Sequence, residues 1–238
     1  MKLTIIIPVF NEEKTVEEIV KRVSLVRFDK VTKEIIIVND ASTDTTDKKI
    51  KKIIQKNKQL QYYSHSKNQG KGAAVKTGIS YATGDYIIIQ DADLEYNPKD
   101  IADLLFALKK KQGDIVYGTR LNHLPDFRGE QRTVRFFLHY LGNRGLSLLT
   151  SILYGQYLTD METCYKLFPK KAVKNMKIHA RGFELEPELT AKFLKRGFTI
   201  VEVPISTNPR SYEEGKKLNT VTDGWKALKT LIKYRFVE

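Results

Sequence analysis

The sequence predicts an α/β fold in which helices cover both faces of a mostly parallel sheet, with an amphipathic helix at the C-terminal end. Apolar runs rich in Ile and Val alternate with segments whose apolar residues recur at helical spacing. Such runs are typical of strands buried on both faces, as in parallel sheets. Right-handed crossovers then bring the carboxyl ends of the strands to one edge, where ligands bind in such sheets.

The regular alternation covers the first half of the chain. The apolar runs that predict strands are 3–9, 34–40, 60–65, 85–90 and 114–120. The helical patterns between them span 11–26, 42–57, 70–84 and 97–113. The last of these helices has Pro98 near its start and Gly113 after its end, the positions at which these residues favour helix boundaries.

The second half is less regular. An amphipathic stretch that is basic at its start, a helix, a strand and an amphipathic tail helix are predicted at 127–158, 182–197, 198–205 and 222–236. One face of the tail helix carries the apolar residues Trp225, Leu228, Ile232 and Phe236, and lysines cover much of the rest.

Length and composition favour a single domain over residues 1–238. The only cysteine, Cys164, excludes an internal disulfide and fits a reducing compartment. The apolar run near the N-terminus is too short for a signal peptide, and no stretch approaches a membrane span, so we expect a soluble or peripheral protein. The net charge of +13 indicates either a lysine-rich surface or attraction to phosphates, nucleic acid or anionic lipid.

Acidic and amide side chains follow three of the predicted strands. They are Asn11 and Glu12, then Asn39 and Asp40, then Asp91, Asp93 and Glu95. Asp91 and Asp93 point the same way in an extended segment, and adjacent carboxylates repel unless a cation lies between them. Carboxylates together with substrate phosphates are typical Mg²⁺ or Mn²⁺ ligands. The cluster therefore predicts a divalent metal that holds a diphosphate.

Two segments are candidates for binding the phosphates. The "GKG" at 70–72 matches no complete phosphate-binding motif, and it is otherwise a helix start. The polar segment 208–219 carries Arg210, Lys216 and Lys217 and could close over a pyrophosphate, or it is a solvated charged loop.

Four motifs resemble the family 2 glycosyltransferases: "IIIPVFNEE", "IIIVNDASTDTT", "NQGKGAAVKTGISYATGDYIIIQDADLEYNP" and "VYGTR". The pattern is most similar to the dolichyl-phosphate mannosyltransferases and related polyprenyl-phosphate glycosyltransferases. The resemblance is strong over 3–120 and looser through "TDMETCYKLF" and "RGFELEPEL". It implies one GT-A domain, in which 1–120 bind the nucleotide sugar and 121–238 bind the acceptor and face the membrane.

The resemblance also implies roles for individual residues. The nucleoside and substrate pocket would be lined by Pro8, Phe10, Glu12, Val38, Asp40, Lys71 and Ala92. The catalytic residues would be Asp91, Asp93, Arg120 and Asp160, and the metal ligands would be Asp93, Glu95 and Asp91. Arg120, Arg210 and Lys216 would contact the diphosphate or the acceptor phosphate. The sequence departs from the family at "NDAS", where "DDGS" is commoner, so Asn39 and Ala41 are variants.

The chemistry implied by the resemblance is displacement at the anomeric carbon with inversion. The favoured reaction moves mannose from GDP-mannose to a polyprenyl phosphate, and UDP-glucose is the alternative donor. A lipid monophosphate is already a nucleophile near pH 7. A saccharide hydroxyl, the alternative acceptor, would need a general base such as Asp160 or Glu186. Asp160 is otherwise a structural acid.

The basic amphipathic stretches 127–153 and 222–236 could lie on the cytoplasmic face of a membrane and present the lipid phosphate, or they pack against the core. A membrane-anchored partner subunit would fit the same interpretation. Three rival functions are disfavoured. A dinucleotide-binding dehydrogenase needs glycines after the first strand, and "PVFNEE" has none. A nucleic-acid-binding module would show a stripe of basic and aromatic residues, and the aromatic residues of this sequence form no such stripe. The intact Asp91 and Asp93 disfavour a catalytically silent nucleotide-binding subunit.

Overall fold

The computed structural model describes residues 1–57, 59–121, 134–208 and 220–237. Its strands are β1 (Lys2–Val9), β2 (Thr32–Asn39), β3 (Leu60–Ser64), β4 (Tyr86–Ile89), β5 (Ile115–Thr119), β6 (Lys166–Pro169) and β7 (Ile200–Pro204). Its helices are α1 (Val16–Leu25), α2 (Thr46–Lys56), α3 (Lys71–Tyr81), α4 (Ile101–Lys109), α5 (Val134–Tyr154), α6 (Lys170–Val173), α7 (Leu185–Lys195) and α8 (Thr220–Phe236).

The strands of the described residues form one sheet in the order β3-β2-β1-β4-β6-β5-β7. Every neighbouring pair is parallel except the two pairs that involve β6, which runs antiparallel to β4 and to β5. Val9 lies opposite Asn39, so β1 and β2 end level with each other. The prediction of a mostly parallel sheet is confirmed, and the loops after β1, β2 and β4 leave from one edge.

Successive side chains along each strand point to opposite faces of the sheet, and they form a hydrophobic core on each face. Ile5 and Ile7 belong to the core that is covered by α1, α2 and α4. Ile6 lies in the core on the other face, together with Val75 of α3 and Phe193 of α7. Helices on both faces exclude water from the strands, which explains why the strand sequences are apolar at successive positions.

The sequence did not predict β6. This strand is four residues long, it ends at Pro169, and it contains the fully buried Lys166. The Lys166 ammonium donates hydrogen bonds to the carbonyls of Met161 and Thr163, and it lies 2.8 Å from Oε2 of Glu186. A charged side chain inside a strand is tolerated here because two backbone carbonyls and the Glu186 carboxylate supply oxygens to it.

The tail helix is confirmed as α8, but the face that its sequence marks as apolar does not point into the core. Ala227, Leu231 and Tyr234 are the buried residues, and they face α5 and α7. Trp225 is 60% exposed and Phe236 is 79% exposed. The amphipathic stretch predicted at 127–158 forms α5 from residue 134 onward. Residues 122–133 lie outside the described residues. No helix among the described residues has the length and apolar content needed to cross a membrane.

Candidate active site

A cavity of about 450 Å³ opens at the carboxyl edge of the sheet. Its walls include ten of the residues predicted from the sequence: Pro8, Phe10, Glu12, Asp40, Lys71, Asp91, Ala92, Asp93, Glu95 and Arg120. The volume suits a small-molecule ligand. The second half of the chain completes the cavity, with α5 contributing Asn143 and the start of α8 contributing Asp223.

Two predicted residues of the described ranges, Val38 and Asp160, do not line this cavity. Val38 is fully buried, because its side chain on β2 belongs to the hydrophobic core on the face of the sheet that α3 covers. Asp160 is fully buried as well and lies behind Arg120. Arg210 and Lys216, with their neighbour Lys217, lie outside the described residues.

Tight turns carry the strand ends into the cavity. Asn11, Ala41 and Leu94 adopt left-handed backbone conformations, with φ of 49°, 57° and 65°. Asn11 and Ser42 tie two of these turns together through a hydrogen bond from the Asn11 amide to Ser42 Oγ of 2.9 Å. Ala41 takes the left-handed conformation at the position where glycine is commoner in the family.

The Asp91 carboxylate is balanced by a partly buried cation of the protein itself, Lys71. Lys71 Nζ lies 2.9 Å from Asp91 Oδ1, 2.9 Å from Cys164 Sγ and 3.4 Å from Glu186 Oε1. Burial opposes ionisation of Asp91, but the Lys71 ammonium lowers the pKa of Asp91 below its usual value. The same burial opposes the Lys71 charge, while Asp91, followed by Cys164 and Glu186, raises the pKa of Lys71 well above normal.

Among the described residues, no cation forms an ion pair with Asp93, although the Lys71 charge slightly opposes the rise of its pKa. Burial, followed by the negative charges of Asp91 and Glu95, raises the pKa of Asp93 to about 7. A divalent cation here would favour the ionised form. Two carboxylates together with diphosphate oxygens are a usual Mg²⁺ ligand set. Within the described ranges, no three His, Cys, Asp or Glu side chains are already gathered as a metal site. The carboxylates of Asp91, Asp93 and Glu95 are the type of ligand that would fit Mg²⁺ or Mn²⁺ bound together with phosphate oxygens.

The glycines of "GKG" serve close packing. The Gly72 amide donates to the Arg181 carbonyl at 2.7 Å. A Cβ on Gly72 would lie 2.6 Å from the Ala180 carbonyl oxygen, which is closer than such contacts occur. Gly70 has a φ of 94° and leads into the helix. The glycines thus let segment 180–182 contact the start of α3, and Lys71 between them reaches the cavity.

Asp40 organises the turn that precedes α3. Its carboxylate accepts hydrogen bonds from the backbone amides of Gln69 at 2.9 Å and Gly70 at 2.6 Å. His65 Nδ1 lies 2.7 Å from Asp40 Oδ1. Asp40 therefore lines the cavity while holding one of its walls, and contact with the nucleoside base stays a prediction.

Arg120 is fixed by a two-pronged pair with Asp160. Its Nε lies 2.7 Å from Oδ2, and a terminal nitrogen lies 2.8 Å from Oδ1. The Arg120 backbone amide donates to Oδ2 as well, at 3.0 Å. Burial opposes ionisation of Asp160, but the Arg120 charge lowers its pKa below the usual value. Arg120 reaches the cavity and Asp160 does not, which matches the structural alternative for Asp160 rather than a general base.

The sequence motifs missed several cavity residues of the second half, among them Glu162, Phe183 and Asp223. Glu162 belongs to "TDMETCYKLF", two residues after Asp160 and two before Cys164. Its position inside a quoted motif could have identified Glu162 as a candidate cavity residue. Phe183 likewise belongs to a quoted motif, "RGFELEPEL". Asp223 lies near the start of α8 and belongs to no quoted motif, and the packing of α8 against α5 and α7 brings it to the cavity.

Comparison with known proteins agrees with this geometry. The model of the family described as "Glycosyl transferase family 2" matches residues 4–176. The UDP-N-acetylglucosamine–dolichyl-phosphate N-acetylglucosaminyltransferase of Methanococcus voltae is 30% identical over 234 residues, which are 91% of this chain and 90% of that protein. An uncharacterized glycosyltransferase of Synechocystis is 38% identical over 60% of this chain and 45% of its own length.

Solved structures share the fold. Glucosyl-3-phosphoglycerate synthase from Mycobacterium tuberculosis, crystallised with Mn²⁺, UDP and phosphoglyceric acid, superposes with a TM-score of 0.71 at 18% identity, over 100% of this chain and 79% of that chain. TarS of S. aureus in complex with UDP-GlcNAc superposes with a TM-score of 0.62 at 18% identity, over 98% of this chain and 66% of that chain. The fold is the GT-A fold of nucleotide-sugar transferases, and the chain belongs to glycosyl transferase family 2.

Proposed function

We propose that the protein transfers a sugar from a nucleoside diphosphate donor to a polyprenyl phosphate, with the help of Mg²⁺ or Mn²⁺. The observation that carries this proposal is the cavity itself, where the acids after β4 face Lys71 and Arg120. One side of the cavity comes from residues 8–120 and the other from 142–224. This arrangement supports a division into a donor half, 1–120, and an acceptor half, 121–238.

On the donor side, Asp91, Asp93 and Glu95 would hold the metal, with Asp93 as the principal ligand. Such a metal neutralises the charge that builds up on a departing diphosphate. Arg120 is held rigidly by Asp160, so its guanidinium is pre-oriented toward the same negative charge. We propose that Lys71 and Arg120 bind phosphate oxygens in the transition state. The same role for Arg210 and Lys216 rests on the resemblance alone.

On the acceptor side, two exposed apolar stripes support a lipid. Leu141, Leu148 and Ile152 lie at helical spacing on α5, and they are 47%, 56% and 71% exposed. Trp225, Ile232 and Phe236 form the second stripe on α8, which packs against α5. Lys226, Lys229 and Lys233 flank that stripe and suit anionic headgroups. We propose that these surfaces rest on the cytoplasmic face of a membrane; a membrane-anchored partner subunit stays a prediction.

The identity of the donor sugar is the finer part of the proposal. The sequence pattern favours GDP-mannose, with UDP-glucose as the alternative. The name of the Methanococcus relative adds UDP-N-acetylglucosamine as a third candidate. A saccharide hydroxyl is the second candidate acceptor, since Glu186 lines the cavity and could serve as the base, although Lys71 and Lys166 already pair with it.

A thermal-melt panel followed by a transfer assay tests the proposal. The panel contains GDP, UDP, GDP-mannose, UDP-glucose and UDP-N-acetylglucosamine, each with and without Mn²⁺. Ligand at 100 times its Kd adds about 2.7 kcal/mol to the unfolding free energy, which raises the melting temperature by several degrees. We expect a Mn²⁺-dependent shift for one base that Asp93→Ala abolishes, and then label transfer to a polyprenyl phosphate in vesicles. No shift with any nucleotide would refute the proposed donor site.

A further inference from the structure

The loop between α5 and β6 holds one cavity-facing carboxyl group that the family motifs leave unexplained. The backbone of this loop forms hydrogen bonds with several other parts of the structure. Glu202 accepts hydrogen bonds from the backbone amides of Thr159 and Asp160 at 2.7 and 2.8 Å. Ser147 Oγ accepts from the Met161 amide at 2.9 Å. The Lys166 ammonium binds the carbonyls of Met161 and Thr163 from below.

Glu162 lies at the centre of this rigid loop and lines the cavity. Its Oε1 is shut off from solvent and has no hydrogen-bond partner among the described residues. An unsatisfied buried acceptor costs about 1–3 kcal/mol. Burial raises the pKa of Glu162 to about 7, with Lys166 opposing and Glu186 reinforcing the increase. The fold thus buries one oxygen of a carboxyl group that lines the cavity without supplying its hydrogen-bond partner.

We propose that Glu162 binds the hydroxyl groups of the sugar that the donor carries, and so helps to select that sugar. This inference rests on the proposed function. A hydroxyl supplies the donor that Oε1 lacks, and a carboxyl group pairs with hydroxyls whether it is ionised or neutral. The rigid loop favours selection, because a substrate without the matching hydroxyl would leave Oε1 unpaired again.

The other groups expected in the cavity fit Glu162 less well. A phosphate would be repelled by a carboxylate. Arg120, which we assign to phosphate, lies close enough to lower the pKa of Glu162. The proposed metal site is built by Asp91 and Asp93 after β4. A sugar hydroxyl therefore remains as the complementary partner, and it belongs either to the donor or to an acceptor saccharide.

The test compares Kd values measured by calorimetry with Mn²⁺ and without acceptor. The probes are UDP against UDP-N-acetylglucosamine and GDP against GDP-mannose, using the base that binds. Glu162→Met removes the polar atoms at similar size, Glu162→Gln returns an acceptor and a donor, and Glu17→Gln on the exposed part of α1 is the matched control. We expect Glu162→Met to weaken nucleotide-sugar binding roughly 10- to 100-fold while the nucleoside diphosphate Kd stays unchanged. We expect Glu162→Gln to recover part of the loss.

A melting temperature of Glu162→Met equal to or above that of the wild type would separate a binding role from a structural one, because the substitution removes an unsatisfied buried atom. An unchanged ratio of the two Kd values would overturn the inference, as would equal weakening of both ligands. If donor binding is unchanged and only the KM of a saccharide acceptor rises, the hydroxyl belongs to the acceptor and the donor assignment is wrong. A wild-type protein that binds no nucleotide would refute the proposed function instead.

Discussion

The Lys71 ammonium lies 2.9 Å from Oδ1 and 3.0 Å from Oδ2 of Asp91, so one partly buried lysine contacts both oxygens of the carboxylate. This pair joins the first residue of α3 to the loop after β4. Asp91 is therefore neutralised by the fold, while Asp93 two residues later is not, and its pKa is raised to about 7. The acidic cluster thus contains one carboxyl group balanced by protein and one that a bound cation would ionise.

Breaking this pair should cost more stability than removing it whole. Lys71→Met leaves the partly buried Asp91 without its cation, and we expect the free energy of unfolding to fall by about 3 kcal/mol. Lys71→Met with Asp91→Asn should recover most of that loss but no activity. Chemical denaturation measures both. Additive losses in the double variant would contradict the assigned coupling.

Asp160 should act on the reaction only through Arg120. We expect Asp160→Asn to lower kcat/KM by roughly 10- to 100-fold, because Arg120 loses its orientation. In an Arg120→Ala background the same substitution should change kcat/KM little, and it should raise the melting temperature by removing a buried unpaired charge. A further large loss of rate in that background would instead indicate that Asp160 is a general base.

Glu34 should make stability depend on pH in acid. Burial opposes its ionisation, but hydrogen bonds from Thr4 and Thr83, together with Lys2, lower its pKa to about 2. Because the folded pKa is below the usual 4.5, the stabilisation is full above about pH 4.5 and is lost as pH falls toward 2. Its size is on the order of 3 kcal/mol. Unfolding curves of Glu34→Gln should lie below the wild type at pH 7 and converge with it near pH 2.

Convergence is the informative feature of that comparison. If the gap between Glu34→Gln and the wild type is the same at pH 7 and pH 2, the Glu34 charge does not provide the stabilisation. Glu18→Gln serves as the control, because its carboxylate pairs with Arg22 on an exposed surface and should change stability little at either pH.

The exposed apolar stripes should govern membrane binding rather than chemistry. We expect Leu148→Ser with Trp225→Ser to reduce co-sedimentation with anionic vesicles severalfold, because each substitution removes apolar surface available to the lipid. Transfer to a short-chain, water-soluble polyprenyl phosphate should be unchanged. Phe106→Ser on α4 is the matched control, since Phe106 is 60% exposed outside the stripes. Equal loss of vesicle binding in the control would refute a specific surface.

Ala41 should be a site of removable backbone strain. Its φ of 57° is left-handed, a conformation that costs an L-residue about 1 kcal/mol and costs glycine little. We expect Ala41→Gly to raise the free energy of unfolding slightly, by up to about 1 kcal/mol. Ala102→Gly in α4 should have the opposite sign, because there glycine loses helix propensity. Stabilities from denaturant curves compare the two directly, and a loss at Ala41 equal to that at Ala102 would exclude strain.

The sequence was sufficient to predict those features that depend on local pattern. Continuous apolar runs separated by helical periodicity determined the parallel strands of the first half, and strand direction determined that Asp40 and Asp91 would share an edge. These predictions succeeded because strand burial and crossover handedness follow from short-range chemistry. The family motifs added roles for residues that the edge brings together.

Only the tertiary structure decided which side chains meet. The sequence did not single out Lys166, yet β6 buries it completely against the loop that carries Glu162. Asp160 reads as a catalytic acid, yet its pairing with Arg120 takes it out of the cavity. The sequence left open whether the apolar face of α8 lies on a membrane or packs against the core, and the structure buries Ala227 and Leu231 against α5 and α7 and leaves Trp225 exposed. In each case contacts distant in sequence fix the environment of a side chain, and local periodicity contains no information about them.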